Sequence, residues 1–171
     1  MSSAYYEDDC CVLYHGDCRE VLGDISAVDL VLSDPPYGVA YKTSWRLRTD
    51  KLRHDIAGDE SLVVFAQAWP MMRDLLRDNR HWYVFASPRM LPEMMSIVGD
   101  AKQTIAWDKG DMGTVGDLKC GFGEAWEAIL YGMNGRRELN GKRPRTVVRY
   151  NWSGSFDPVH PTVKPPGLLA Q

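Results

Sequence analysis

The chain has 171 residues, of which 44% are hydrophobic and 25% charged, and its net charge is −3. These values are typical of one folded domain, and they predict no membrane span because no stretch approaches the roughly 20 apolar residues that one requires. The amino-terminal residues lack the basic and apolar regions of a secretion signal, so we expect a cytoplasmic protein.

The first third of the chain predicts two strands and a short helix. Residues 12–14 form a short apolar run that we interpret as a strand. Asp17 is a suitable N-cap for a helix over 18–22. Residues 28–32 are almost entirely apolar, a pattern typical of a strand buried on both faces. The polar and basic residues 38–60 predict a long loop.

The middle of the chain alternates between helical and strand patterns. Apolar residues recur at helical spacing over 61–78, where Pro70 predicts a kink or two short helices. Residues 81–87 predict a strand, 90–98 a weaker helix and 103–109 another strand. This alternation indicates an α/β fold with a largely parallel sheet.

The last third begins with a glycine-rich stretch. Five glycines within 110–123 predict a flexible loop. Residues 124–132 and 146–152 predict strands on either side of a basic turn, and 160–171 predict a turn and the start of a helix. No stretch repeats another, so we expect a single domain over 1–171.

An aspartate, two prolines and a tyrosine follow the predicted strand over 28–32: Asp34, Pro35, Pro36 and Tyr37. Aspartate and proline are ordinary turn residues, and a turn alone would need no chemistry. However, loops at the carboxyl ends of strands carry the functional groups of α/β folds. The position of the motif therefore suits a site.

Cysteines and histidines do not form a metal-binding pattern. The cysteines are Cys10, Cys11, Cys18 and Cys120, and their spacing does not match the pairs of a zinc site. We predict reduced thiols and no metal.

Basic side chains concentrate in two segments of an otherwise acidic chain. The first contains Lys42, Arg46, Arg48, Lys51 and Arg53. The second contains Arg136, Arg137, Lys142, Arg143, Arg145 and Arg149. Both segments suit contacts with phosphates, and both are equally compatible with solvated loops.

Six short motifs occur in an order that resembles the amino-group DNA methyltransferases. They are HGDCREVL (15–22), VDLVLSDPPYG (28–38), WYVFAS (82–87), IAWDKG (105–110), GFGEAWEAILYG (121–132) and HPTVKP (160–165). The order is similar to the permuted group, in which the catalytic half precedes the cofactor half. The resemblance implies a Rossmann-like fold that uses S-adenosylmethionine to methylate adenine N6 or cytosine N4 in double-stranded DNA.

One element of the family pattern is missing from the sequence. In the family, a strand with a glycine-rich loop follows HPTxKP and holds the methionine end of the cofactor. Here only 160–171 match the start of that cofactor half, so the resemblance implies a catalytic half. We expect the strand over 28–32 to have an open hydrophobic edge, and the chain to form a homodimer or to need a complementing chain.

The resemblance gives each residue of the aspartate motif a role. Asp34 and the carbonyl of Pro35 accept the hydrogens of an exocyclic amine, and the fixed φ of proline holds the backbone. Pro36 belongs to the same implied catalytic motif. Tyr37 stacks on a base that has rotated out of the duplex. Aspartate at the first position is more similar to adenine enzymes than to cytosine-N4 enzymes.

The resemblance also implies cofactor and DNA contacts. The implied cofactor residues are Asp17, Cys18, Asp34, His160, Thr162 and Lys164, and Lys164 is placed on the methionine carboxylate. The loop over 38–60 and a short target-recognition insert over 133–159 are the implied DNA contacts, through Lys42, Arg46, Arg48, Lys51, Arg53, Arg136, Arg137, Arg143 and Arg145. For Asp17 a capping role alone, and for His160 a structural hydrogen bond, stay open.

Two alternatives to an adenine methyltransferase follow from the same residues. The first alternative is a non-catalytic DNA-binding or regulatory remnant that keeps the base clamp. The second is an enzyme that methylates cytosine N4 or RNA.

Overall fold

A computed structural model describes residues 4–38, 58–110, 122–151 and 163–170 of the chain. A small antiparallel hairpin of β1 (Tyr6–Glu7) and β2 (Val12–Leu13) comes first. The main sheet contains five strands in the order β3-β4-β6-β5-β7, namely β3 (Val28–Ser33), β4 (Leu76–Ala86), β5 (Gln103–Asp108), β6 (Trp126–Asn134) and β7 (Val147–Arg149).

The strand directions place most carboxyl ends at one edge of the sheet. β3 is parallel to β4, and β5 is parallel to β7. β6 lies between β4 and β5 and is antiparallel to both. Four strands therefore run in one direction and β6 in the other, which confirms the α/β class with a mainly unidirectional sheet. We call the edge formed by the ends of β3, β4, β5 and β7 and the start of β6 the carboxyl edge.

Helices pack on both faces of this sheet. The helices are α1 (Cys18–Val21), α2 (Val63–Leu75), α3 (Leu91–Val98) and α4 (Pro166–Leu169). α2 buries Phe65, Ala68 and Trp69, which recur at helical spacing, and packs with α3 over Trp82. On the second face, Leu168 of α4 packs against three buried strand residues, Phe85, Trp107 and Ile129. No helix in the described residues is long and apolar enough to cross a membrane.

β3 is not buried on both faces, contrary to the prediction. It is an edge strand among the described residues and pairs with β4. Leu30 and Leu32 point to the second face and are 51% and 46% exposed, whereas Val31 packs in the helix-covered core. The expected open hydrophobic edge is therefore present in the described part of the sheet.

Two element boundaries also differ from the prediction. α2 continues through Pro70 as one helix, so of the two predicted outcomes, a kink or two short helices, the second does not occur. It ends at Leu75, and β4 starts at Leu76 because residues 76–78 join the sheet that neighbouring strands form. Most of the predicted loops over 38–60 and 110–123 lie outside the described residues.

Candidate active site

Three charged residues meet at the carboxyl edge because of the strand order. Asp34 directly follows β3, Lys109 directly follows β5, and Glu127 is the second residue of β6. Lys164 reaches the same place from the segment before α4. Residues that are up to 130 positions apart, from 34 to 164, thus form one polar cluster.

Two donors hold the Asp34 carboxylate. The Tyr37 hydroxyl donates to Asp34 Oδ1 at 2.9 Å. The Lys164 ammonium lies 3.0 Å from Asp34 Oδ2. The Asp34 side chain is still 38% exposed, so each oxygen keeps lone pairs that can accept further hydrogens from solvent or from a ligand.

Glu127 lies deeper in the cluster and contacts the same two donors. Its Oε2 is 3.3 Å from Lys164 Nζ and 3.2 Å from the Tyr37 hydroxyl. Its Oε1 accepts from Lys109 Nζ at 2.5 Å. The side chains of Glu127 and Lys164 are 15% and 8% exposed, so this part of the cluster is largely shielded from solvent.

The surroundings shift two pKa values in the cluster. Burial alone would raise the pKa of Glu127, but the positive charges of Lys164 and Lys109 outweigh it and hold the pKa below its ordinary value. Burial, followed by the charges of Glu127 and Asp34, raises the pKa of Tyr37 far above its ordinary value. Tyr37 therefore keeps its proton at neutral pH and acts as a donor.

Aromatic rings surround the lysines. Lys164 Nζ lies 5.4 Å from the ring centroid of Tyr37 and 5.1 Å from that of Phe85. Lys109 Nζ lies 5.2 Å from the ring of Trp107. Cation–π contacts of this kind stabilise a buried ammonium by about 0.5–2 kcal/mol each.

Asp17 caps its helix, as the sequence predicts. Its carboxylate accepts from the backbone N–H of Arg19 at 2.9 Å and also binds the Arg19 guanidinium. These hydrogen bonds lower the pKa of Asp17 to about 2, and the bond from the Arg19 side chain has the larger effect. Cys18 starts α1 and has a free thiol. His160 and Thr162, the other predicted cofactor residues, lie outside the described part of the chain.

Lys164 contacts the chain's own carboxylates, and its implied contact with the cofactor carboxylate stays a prediction. Its ammonium lies near Asp34 and Glu127, and an ammonium has three hydrogens, so one hydrogen remains for a further acceptor. The structure thus gives Lys164 contacts to the chain's own carboxylates.

Five arginines of the predicted insert are described. Arg149 ends β7 at the carboxyl edge and lies 3.8 Å from Asp108. The other four lie toward the opposite end of the sheet. Arg143 and Arg145 line a cavity of about 480 Å³ on the second face, beside Tyr83 and Tyr131. Arg137 lines an adjoining cavity, and the backbone of Arg136 donates to Asn79. The first cavity includes Gln103, at the opposite end of β5 from the carboxyl edge. Lys42, Arg46, Arg48, Lys51 and Arg53 lie outside the described residues.

Sequence reasoning missed Lys109 and Glu127. The available signal was a charged residue at each predicted strand end, in IAWDKG and in AWEAIL. In an α/β fold such ends meet at one edge. The antiparallel direction of β6, which brings the start of that strand to this edge, could not be read from its own residues.

Comparison with known proteins shows the fold of the chain. No protein-family model and no curated protein matches it. Among solved structures, the PvuII cytosine-N4-specific DNA methyltransferase is 16% identical, with a TM-score of 0.58 over 84% of this chain and 58% of that chain. M1.HpyAVI is 17% identical, with a TM-score of 0.51 over 80% of this chain and 64% of that chain.

The chain therefore has a partial Rossmann-like methyltransferase fold, with its polar cluster at the edge where such folds carry their sites. It spans 58% and 64% of the length of these two structures.

Proposed function

We propose that the chain carries the catalytic segment of an S-adenosylmethionine-dependent DNA methyltransferase that acts on adenine N6 of a flipped base. One observation carries this proposal: the Asp34 carboxylate lies at the carboxyl edge, is exposed on one side and is held on the other by Tyr37 and Lys164. An anchored acceptor of this kind suits the binding of an exocyclic amine.

The chemistry requires acceptors for both hydrogens of the amine. The lone pair of an adenine amine is delocalised into the ring, which makes the nitrogen a weak nucleophile. Asp34 accepts one hydrogen and the Pro35 carbonyl accepts the other, which favours a tetrahedral nitrogen with a localised lone pair. Proline offers no competing N–H. After the nitrogen–methyl bond forms, the nitrogen loses one proton, for which Asp34 is an available acceptor.

The cofactor suits the charge of this edge. When bound, S-adenosylmethionine supplies a methyl group on a positively charged sulfur, and its carbon–sulfur bond breaks with the electron pair left on sulfur. An exposed carboxylate at Asp34 is compatible with that charge. Our candidates for the rest of the cofactor are Asp17, Cys18, His160, Thr162 and Lys164, and Lys164 also binds Asp34.

Tyr37 supports base binding through its ring. Its hydroxyl is directed to Asp34, and Lys164 lies near one face of the ring. A flipped base stacked on the other face would gain about 1–3 kcal/mol, which offsets part of the cost of unstacking.

Double-stranded DNA is the proposed substrate, with phosphate contacts from the basic residues of 38–60 and 133–159. The open edge at β3 supports our prediction that the chain self-associates or binds a complementing chain. A monomeric chain with one cooperative melting transition, measured by light scattering and calorimetry, would contradict that prediction.

Cytosine N4 is the second candidate target, because the PvuII enzyme that shares this fold is described as cytosine-N4-specific. Aspartate at position 34 favours adenine on the sequence resemblance. N6-methyldeoxyadenosine and N4-methyldeoxycytidine differ in mass, so mass spectrometry of the digested DNA distinguishes the two products.

The test combines cofactor binding with product analysis. Calorimetric titration measures S-adenosylmethionine binding with and without duplex DNA, and mass spectrometry identifies methylated nucleosides after digestion. We expect N6-methyladenine from the wild-type chain. Asp34→Ala should lower the rate at least about 100-fold and leave duplex binding unchanged, whereas Asp74→Ala, on the exposed side of α2, should retain the wild-type rate.

Each contrary outcome has a distinct meaning. N4-methylcytosine as the product would favour the second candidate. No cofactor binding even with DNA would favour a non-catalytic DNA-binding remnant. Retained turnover in Asp34→Ala would refute the role of Asp34.

A further inference from the structure

Glu127 lies behind Asp34 and contacts both of the donors that hold it. We propose that Glu127 is a positioning residue, which fixes the Lys164 ammonium and the Tyr37 hydroxyl so that they keep the Asp34 carboxylate in one orientation. This inference rests on the proposed function, and it gives a role to a largely shielded carboxylate that the proposed chemistry does not use.

The Tyr37 hydroxyl contacts two carboxylates but has a single proton. It lies 2.9 Å from Asp34 Oδ1 and 3.2 Å from Glu127 Oε2. The shorter distance favours donation to Asp34, and the hydroxyl oxygen then faces Glu127 without a hydrogen between them. Such a contact is unfavourable unless a cation lies beside both oxygens.

Lys164 is the cation that this arrangement needs. Its ammonium has three hydrogens, and it lies 3.0 Å from Asp34 Oδ2 and 3.3 Å from Glu127 Oε2. Within the described residues, these carboxylates are its ion-pair partners. If the charge of Glu127 were removed, the ammonium would keep one partner, Asp34, on its exposed side. The Asp34 carboxylate and the ammonium would then be free to move together toward solvent.

Lys109 fixes Glu127 in turn. It binds Oε1 at 2.5 Å, while Oε2 faces Lys164 and Tyr37, so both oxygens are occupied. Glu127 also belongs to β6, which is paired on both sides by β4 and β5. Groups on a rigid strand hold a neighbouring loop residue more accurately than another loop residue could. Asp34, which follows an edge strand, thus depends on a support from the centre of the sheet.

The first experiment tests whether Glu127 holds the Lys164 ammonium, and it does not require methyl transfer. An amine-reactive acylating reagent is added to wild-type chain, Glu127→Gln and the control Glu93→Gln, whose residue is exposed on α3. Mass spectrometry of peptides gives the labelling rate of Lys164 relative to exposed Lys102. We expect Lys164 to be labelled at least about fivefold faster in Glu127→Gln, with no change in Glu93→Gln. Lys102 is already exposed and corrects only for reagent activity. General destabilisation is excluded by labelling well below the Tm of Glu127→Gln, where global unfolding does not contribute.

The second experiment measures methyl transfer. Glu127→Gln should lower kcat by about tenfold with little change in the KM for DNA, the pattern of a lost transition-state interaction. In a Lys164→Met background the same substitution should have a much smaller effect, because only the contact of Glu127 with Tyr37 remains. A structural role would give equal losses in both backgrounds.

Three results would overturn the inference: unchanged labelling of Lys164, an unchanged kcat, or equal losses of kcat in the two backgrounds. A wild-type chain that binds cofactor and DNA but transfers no methyl group would overturn the proposed function. The labelling ratio is read without turnover, so the two failures are distinguishable.

Discussion

Replacing Lys164 by methionine should destabilise the chain through the two carboxylates that it leaves behind. Removing one partner of a buried ion pair costs about 3–5 kcal/mol, and an exposed pair is worth about 0–1 kcal/mol. Glu127 is 15% exposed and keeps Lys109, and Asp34 is 38% exposed. We therefore expect the free energy of unfolding to fall by about 2–3 kcal/mol, between the values for exposed and fully buried pairs. This change lowers Tm by about 4 to 12 °C.

The loss should depend on pH in a defined direction. The pKa of Glu127 is lowered in the folded chain, so its contribution to stability is complete above its unfolded pKa and is lost as pH falls through the folded pKa. Lys164→Met removes one of the charges that lower this pKa. Glu127 in the variant is then protonated at a higher pH than in the wild type, and protonation relieves the repulsion.

Thermal unfolding followed by circular dichroism between pH 7 and pH 4 tests this reasoning. The difference in Tm between Lys164→Met and wild type should be largest at pH 7 and should decrease below about pH 4.5. Lys102→Met removes an exposed lysine and serves as the control, with a change within about ±0.5 kcal/mol. A gap at pH 7 no larger than that of the control, or a gap that stays constant down to pH 4, would refute the ion-pair account.

Two further predictions concern packing and DNA contact. Gly132→Ala would place its Cβ 2.1 Å from a ring atom of buried Trp82, so it should lower Tm by about 2 to 12 °C, whereas Gly23→Ala meets no atom within 4 Å and should have little effect. Equal melting of the two variants would contradict the packing described. If Arg143 and Arg145 bind phosphates, each alanine replacement should reduce the slope of log K against log salt by about one unit. An unchanged slope in a filter-binding assay would remove them from the interface.

The sequence was sufficient for features that short segments determine. The apolar run over 28–32 predicted β3, and Asp17 was correctly identified as the N-cap of α1. Asp34 and Tyr37 were placed after a strand, at the edge where they are found. Each of these depends on neighbouring residues, which is why local patterns were enough.

Features that depend on distant pairing could not be predicted. The segment after Leu75 has residues that favour a helix, but Leu76 pairs with Val28 of β3 and the segment becomes the start of β4. Tyr37 and Glu127 are 90 positions apart, and their contact requires the reversed direction of β6. No periodicity within either segment contains that information.

The reversed strand explains how a single cluster can be both fixed and accessible. A parallel strand at the position of β6 would bring its carboxyl end to this edge, and Glu127, near the amino end, would lie at the other end of the strand. With β6 reversed, Glu127 lies in the centre of the sheet between Lys109 and Lys164, where neighbouring elements shield it. Asp34, one strand beyond β4, remains partly exposed at the edge. The strand order thus separates a shielded carboxylate that holds the lysines from an exposed carboxylate that is free to bind.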